Sequence, residues 1–320
     1  VISSKRVAFA FTVAAVAGLA VLLLAPSRLP YFTDFDPIRI ASGYILHGRD
    51  PYAAIGPGRE VPWNFRLLYP LPAVLIALPF HVLPYPYAPA LFAALASGTL
   101  AALIFGRPAT VMVFLSASWI TAVMTAQWSP AILAASSLPW LGFVLAAKPN
   151  IGAAIFASAR SWREAAILAA TALLITIAAF VVQPHWLSNW REAIRDTPHI
   201  RPLVASWLGA PLLLAALRWR DPRARLLLAL AVVPMNPALY EGVLLFAIPR
   251  SRWGASILVL GSWIAAIVTY RLPGTDFQGI GPAVIVCMYL PALAMVLAPN
   301  NARVGAARVT GTCVDKAVGK

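Results

Sequence analysis

Six stretches of this chain, each at least 18 residues long, contain no Asp, Glu, Lys or Arg: Val7 to Ser27, Leu67 to Gly106, Pro108 to Ala147, Ala165 to Trp190, Trp253 to Tyr270 and Phe277 to Ala302. A helix that crosses a bilayer needs about 20 consecutive, mostly apolar residues, fewer when it is enclosed by other helices. Water cannot solvate so many helices that are apolar all round. The sequence therefore predicts an all-α polytopic membrane protein. Composition agrees, with 61% apolar and 11% charged residues against roughly 25% charged in a soluble domain.

A net charge of +14 in a cytosolic chain would suggest a nucleic-acid partner. Here the basic residues sit in short links beside apolar runs. Lys5 and Arg6 precede the first run, and Arg218, Arg220, Arg223 and Arg225 crowd one link. Arg250 and Arg252 mark another, and Arg303, Arg308, Lys316 and Lys320 lie near the end. Short basic segments stay on the cytoplasmic side, so the excess reads as a topology signal and no nucleic acid is expected. Cys287 falls in an apolar run and Cys313 in a tail expected inside, so no disulfide is expected. The first apolar run is too long for a signal-peptide core and is read as a span.

Residues 1–298 are thus expected to form the transmembrane domain, with about 10–12 crossings counted at roughly 20 residues each or fewer. Residues 299–320 are expected to form a polar cytoplasmic tail. Residues 27–66 make the longest early loop, expected outside the cytoplasm and nearly balanced, with five arginines and four acids. Within it Asp36 suits a helix cap, Pro37 the first helical position and Gly48 the stop. Ile38, Ala41 and Ile45 would share one face of that short helix. Asp50-Pro51 marks a second turn, and Gly56-Pro57-Gly58 a link. Later apolar runs break at Pro84-Tyr85-Pro86, at Ala126-Gln127-Trp128-Ser129-Pro130, at Lys148-Pro149-Asn150, and between Pro234 and Glu241. Segment 151–159 is too short to cross unaided. Residues 183–201, with His185, Trp186, Trp190 and His199, suit an external interfacial segment, since Trp favours the headgroup region.

Ionisable side chains at membrane depth are costly and turn toward cavities or partners. Asp34, Asp36, Arg66, Lys148 and Glu241 all stand at ends or breaks of apolar runs, where the headgroup zone would also tolerate them. Tyr31, Phe32, Tyr44, Tyr52, Trp63, Phe65 and Tyr69 gather nearby with Pro51, Pro62, Pro70 and Pro72. These aromatics suit either an interfacial belt or the wall of a cavity in which tyrosines stack on a sugar. The four histidines show no metal-ligand spacing, and there is no Walker pattern or detectable internal repeat.

Three fragments carry a resemblance. They are Thr33-Asp34-Phe35, Leu46-His47-Gly48-Arg49-Asp50-Pro51-Tyr52 and Phe65-Arg66-Leu67-Leu68-Tyr69-Pro70-Leu71-Pro72. In that order they resemble the opening of the GT-C superfamily of membrane glycosyltransferases, and more narrowly the bacterial glycosyltransferase 87 family. That family, once a domain of unknown function, is related to polyprenol-phosphate-mannose-dependent mannosyltransferases. Ala126-Gln127 and Ala147-Lys148-Pro149 resemble two later landmarks, and the resemblance covers about residues 30–240. It implies a GT-C-like bundle in a bacterial inner membrane and, at the extracytoplasmic face, transfer of mannose or another hexose or pentose from a polyprenyl-phosphate donor to a lipid or glycan acceptor. It implies Asp34 as general base. Asp36, Tyr44, Tyr52, Arg66, Tyr69, Gln127, Lys148, Asn236, Tyr240 and Glu241 are the expected substrate-binding set, with no protein-bound metal assigned. Where the family has a histidine after its aromatic-acid pair, this chain has Gly242 after Tyr240-Glu241.

The chemistry suits these residues. A carboxylate can take a proton from an acceptor hydroxyl as it attacks the anomeric carbon. The phosphate leaving group needs charge compensation more than protonation, which Lys148 and Arg66 would supply. Such an attack inverts the anomeric centre. A membrane transporter or lipid-linked-sugar flippase is the alternative, and it predicts inverted repeats and ionisable residues near mid-membrane. A non-catalytic membrane assembly subunit is a third class. The charges are expected at one rim, and Asp36 chiefly as a cap.

Overall fold

A computed structural model describes residues 3–24, 33–195, 201–235, 238–271 and 280–299. Tyr31, Phe32, His199, Asn236, Pro237, Cys313 and the tail from residue 300 lie outside the described residues. The described chain is helical, with no strand, only isolated bridges at Ile55–Val61 and Pro202–Pro234. Four described helices are long and apolar enough to cross a membrane: α1 (Ser4–Leu24), α5 (Tyr87–Ile104), α9 (Trp162–Val182) and α12, which runs from Arg252 to Arg271. Their outer faces are apolar and bare; Leu23 of α1 and Val181 of α9 are each 77% exposed. Lipid accepts such a face without cost, and water does not.

The remaining apolar runs are broken into short pieces. These are α2 (Asp36–Leu46), α3 (Pro51–Ala54), α4 (Leu71–Ala77), α6 (Ala117–Met124), α7 (Ser129–Ala135), α8 (Pro149–Ala157), α10 (Trp186–Arg195) and α11 (Pro222–Val232). They alternate with 3₁₀ segments at Thr110–Leu115, Pro139–Ala147, Ala210–Arg218 and Leu239–Ala247. The last run is α13 (Ile280–Val284), a π turn at Ile285–Tyr289 and α14 (Leu290–Leu297). The expected 10–12 crossings counted whole apolar runs. The structure divides most of those runs, because a proline opens α2, α4, α7 and α8. Lys148, the residue before Pro149, leaves the helical region at φ −142° and ψ 77°, so α8 starts afresh there. In α2, α4 and α7 the proline lies in the first turn, where its missing N–H costs nothing.

Small residues set the packing. Along α1 and α5, Gly98 meets Ala14 and Gly18 meets Ala94, so the two helices run antiparallel and close; a Cβ on Gly98 would lie 2.9 Å from the Ala14 Cβ. Gly142 is closer still to α9, where a Cβ would lie 2.7 Å from the Leu168 Cα and nearer yet to the Thr171 hydroxyl. In lipid, where burial gives little drive, such backbone approach supplies the contact.

Two sets of loops mark opposite ends of the bundle. Arg225 donates to the carbonyls of Ala157 (2.7 Å) and Ala159 (2.6 Å), just before α9 begins. Asp221 pairs with Arg223 and Arg250 at 2.6 and 3.3 Å, and Arg218 reaches the Leu297 carbonyl. Beyond the far end of α9, α10 packs on the first loop: Asn189 donates to Asp50 (2.8 Å), Trp190 to the Leu68 carbonyl (2.8 Å), and Arg66 pairs with Glu192 (3.2 Å). The 21 residues of α9 separate these sets by about 31 Å. Residues 50–68 and 189–192 therefore share one end of the bundle, and 218–225 the other.

Candidate functional site

The restarts of α2, α7, α8 and the Leu239–Ala247 segment converge. Gln127 stands two residues ahead of α7, Lys148 immediately before α8, Glu241 in the first turn of Leu239–Ala247, and Asp34 two residues ahead of α2. Gln127 Nε2 donates to Asp34 Oδ2. Lys148 Nζ donates to Gln127 Oε1 at 3.3 Å and pairs with Glu241 Oε1 at 2.9 Å. The same ammonium lies 4.6 Å from the ring centre of Tyr240, close enough for a cation–π contact. Asp34, Tyr69, Lys148 and Tyr240 are partly exposed, whereas Gln127 and Glu241 are buried behind them. Accessible groups thus stand in front of a buried polar frame.

The backbone places these groups for local reasons. The amides of Ala126 and Gln127 donate to the carbonyls of Val123 (3.0 Å) and Ala122 (2.8 Å), the paired bonds that close a helix when the residue after it turns left-handed. That residue is Ala126, at φ 48°, a conformation that costs a residue with a Cβ about 1–2 kcal/mol. The Asp34 amide donates to the Thr125 carbonyl at 3.1 Å, which fastens the first loop to the same turn. The neighbours of Asp34 and Gln127 complete the join. Phe35 stacks on Phe92 with centroids 4.2 Å apart, Trp128 meets Phe92 edge-on at 4.8 Å, and Phe35 lies 6.4 Å from Trp128. The polar pair meets because the aromatic pair packs.

Asp34, in the loop between α1 and α2, has its pKa raised above the usual carboxylate value. Burial is the main cause, opposed by Lys148 and by the Gln127 hydrogen bond, with Asp36 adding a smaller upward push. Asp36 is buried and is the first residue of α2, and its role differs from the expected cap. Its Oδ2 accepts the Thr33 amide (3.0 Å) and the Thr33 hydroxyl (2.7 Å). It therefore reaches back one turn, as the third residue of a capping box does, and leaves the downstream amides alone. A turn at residues 33–35 sends the two acids apart.

The structure corrects several sequence expectations. Lys148 pairs with Glu241, and the two do not sit at the expected rim. The nine residues of α8 separate Lys148 from the Arg225 end by only about 14 Å, which puts the pair inside the bundle. Arg66 does not join Lys148; it goes to Glu192 on α10. Tyr44 lies elsewhere too, beneath the Arg49 guanidinium at 4.6 Å from its ring centre. Tyr52 is a support, its hydroxyl donating to the Tyr69 carbonyl at 3.0 Å. The residues that sequence reasoning missed are Trp128, Phe92, Thr125 and Ser129, whose hydroxyl donates to the Tyr240 carbonyl at 2.8 Å. Ser129-Pro130 carried the only signal among them, a helix start. Among the described residues no three His, Cys, Asp or Glu side chains are grouped to hold a metal ion.

Comparison with protein-family models, with curated proteins and with solved structures finds no match to this chain. What is established is the class: an all-α membrane protein with, among the described residues, four apolar helices long enough to span.

Proposed function

We propose that this protein is a GT-C-like glycosyltransferase of a bacterial inner membrane. It would move a sugar from a polyprenyl-phosphate donor to a hydroxyl of a lipid or glycan acceptor. The observation that carries the reading is the connected series Asp34–Gln127–Lys148–Glu241, drawn from four chain segments, with Asp34 and Lys148 partly exposed. In the reaction the acceptor oxygen bonds to the anomeric carbon as the bond from that carbon to the phosphate oxygen breaks. Asp34 receives the hydroxyl proton, and polyprenyl phosphate departs with the electron pair. Lys148, beside the first turn of α8, offers its ammonium and the positive end of that helix to the phosphate. Gln127 holds the base and the cation in fixed relation. The donor's prenyl tail would lie between helices. The finer architecture, about 10–12 crossings once broken runs are joined end to end and a catalytic face outside the cytoplasm, belongs to the same proposal.

A transporter or flippase of lipid-linked sugar is the second reading. The observation in its favour is the Lys148–Glu241 pair buried where helices break, an arrangement that transporters also use. Purified protein supplied with labelled polyprenyl-phosphate sugars and endogenous acceptor lipids separates the two. Labelled glycolipid that requires Asp34 supports transfer; label that crosses a proteoliposome membrane without a new glycosidic bond sinks it. For sidedness, Ser188→Cys and Arg220→Cys are both at exposed positions. An impermeant thiol reagent should label only the first in intact cells.

A further inference from the structure

We propose that a second site, on α2 and separate from the Asp34 group, binds the phosphate of an anionic lipid headgroup. A cavity of about 260 Å³ lies between α2 and the turn at His81, lined by Arg39, Gly43, Tyr44, His47, Arg49 and His81. Arg39 is the anchor. Its side chain is 15% exposed, yet among the described residues it makes no hydrogen bond, and its ion pair with Asp36 is stretched to 3.9 Å. The facing Oδ1 of Asp36 likewise has no hydrogen bond, while Thr33 holds its Oδ2. The Nε of Arg39 is buried without a hydrogen bond, and a buried donor left unpaired is costly unless an acceptor joins it. The planar fork of arginine fits a phosphate with two parallel bonds.

The other cations differ in how far they are committed. Arg49 is neutralised by Glu60. The Nδ1 of His47 donates to the Gly43 carbonyl at 2.7 Å. The Nδ1 of His81 is buried with no partner. Gly43 makes the arrangement possible, because a Cβ there would lie 2.5 Å from the His81 Cε1. The rim points to a lipid as the source of the phosphate. Leu46, next in the chain to the lining residue His47, is 58% exposed, and Val82, next to His81, is 80% exposed. Exposed apolar side chains beside a hollow that basic residues line suit a headgroup whose acyl chains run past it.

The test uses full-length protein in neutral detergent and follows its melting temperature. The probes are dioctanoyl phosphatidylglycerol, dioctanoyl glycerol and inorganic phosphate. The phospholipid should stabilise the wild type saturably, and Arg39→Gln should weaken the response at least about ten-fold, the loss expected for a charge-assisted bond. Arg39→Lys, which keeps the charge without the fork, should fall between, and it serves if Arg39→Gln does not fold. Gly43→Ala should weaken the response by displacing His81 with no change of charge. Equal stabilisation by dioctanoyl glycerol, or an unaltered response in the Arg39 variants, would overturn the site. Inorganic phosphate as potent as the phospholipid would overturn the lipid assignment. Because the readout is binding, its failure leaves the transfer proposal untouched.

Discussion

Asp34 and Asp36 are two residues apart and belong to different kinds of structure. Asp36 is held within its own turn, where Thr33 donates twice to its Oδ2. Asp34 finds its partner 93 residues away, on Gln127, and through it Lys148 and Glu241. A carboxylate held locally stabilises the start of one helix. A carboxylate held by distant segments exists in that setting only when the bundle is assembled, and it stays partly exposed. The same contrast separates the balanced Lys148–Glu241 pair from Arg39, which has a cavity in place of a hydrogen bond.

The largest expected difference between the two acids is catalytic. Asp34→Asn keeps shape but cannot take a proton, and sugar transfer should fall by about 10²- to 10⁴-fold. Asp36→Asn can still accept from Thr33 and should retain most turnover, and Asp36→Ala should cost about 1 kcal/mol of stability. Both are measured on matched folded protein with a polyprenyl-phosphate sugar. Loss in the Asp36→Asn variant with turnover intact in Asp34→Asn would reverse the roles.

Next in size is the buried ion pair. Lys148→Met strands Glu241 inside the bundle and should cost about 3–5 kcal/mol. Its effect on transfer cannot then be separated from folding. Lys148→Met with Glu241→Gln removes both charges and should restore much of the stability but not the activity. A double variant no more stable than the single one would show that the pair is not the link between these segments.

A smaller effect is expected at Ala126. Ala126→Gly relieves the left-handed strain of about 1–2 kcal/mol and gives back roughly 0.5–1 kcal/mol in chain entropy, so stability should change little. Ala126→Val, branched at Cβ in the same conformation, should lower both the unfolding midpoint and turnover. Equal behaviour of the two variants would mean that this turn does not position Gln127.

The finest distinction is in pH dependence. Asp34 must be ionised to act, and its pKa is raised by burial, so activity should fall on acidification at a pH above the ordinary carboxylate range of about 3.9. Lys148 lowers that pKa and Asp36 raises it. The acid limb should therefore move to higher pH in the Lys148→Met/Glu241→Gln variant, measured with its residual activity, and to lower pH in Asp36→Asn. Shifts of the same sign in both would break the assignment of Asp34 as the titrating base.

Much of the local structure was legible before any coordinates. The α2 start beside Asp36-Pro37, its end at Gly48 (φ 68°) and the restart at Lys148-Pro149 all follow from proline and glycine chemistry that acts within one turn. The burial of Ile38 and Ala41 follows from helical spacing. Less legible was the number of long helices, because an uncharged run looks the same whether proline divides it or not. The pairing of Lys148 with Glu241 was not legible at all. Both residues read correctly as standing at breaks, but nothing within a few residues of either one specifies the other.

The sequence by itself determined that this chain belongs in a membrane, where its helices restart, and which polar residues stand at those restarts. Each of these depends on composition or on the backbone limits of a few adjacent residues. Only the tertiary structure decided that Asp34 faces Gln127, that Arg66 leaves for Glu192, and that Arg39 keeps a cavity. Those outcomes depend on how Phe35, Phe92 and Trp128 pack and on how closely glycines let helices approach. Such contacts join residues far apart along the chain, and short-range patterns do not encode them.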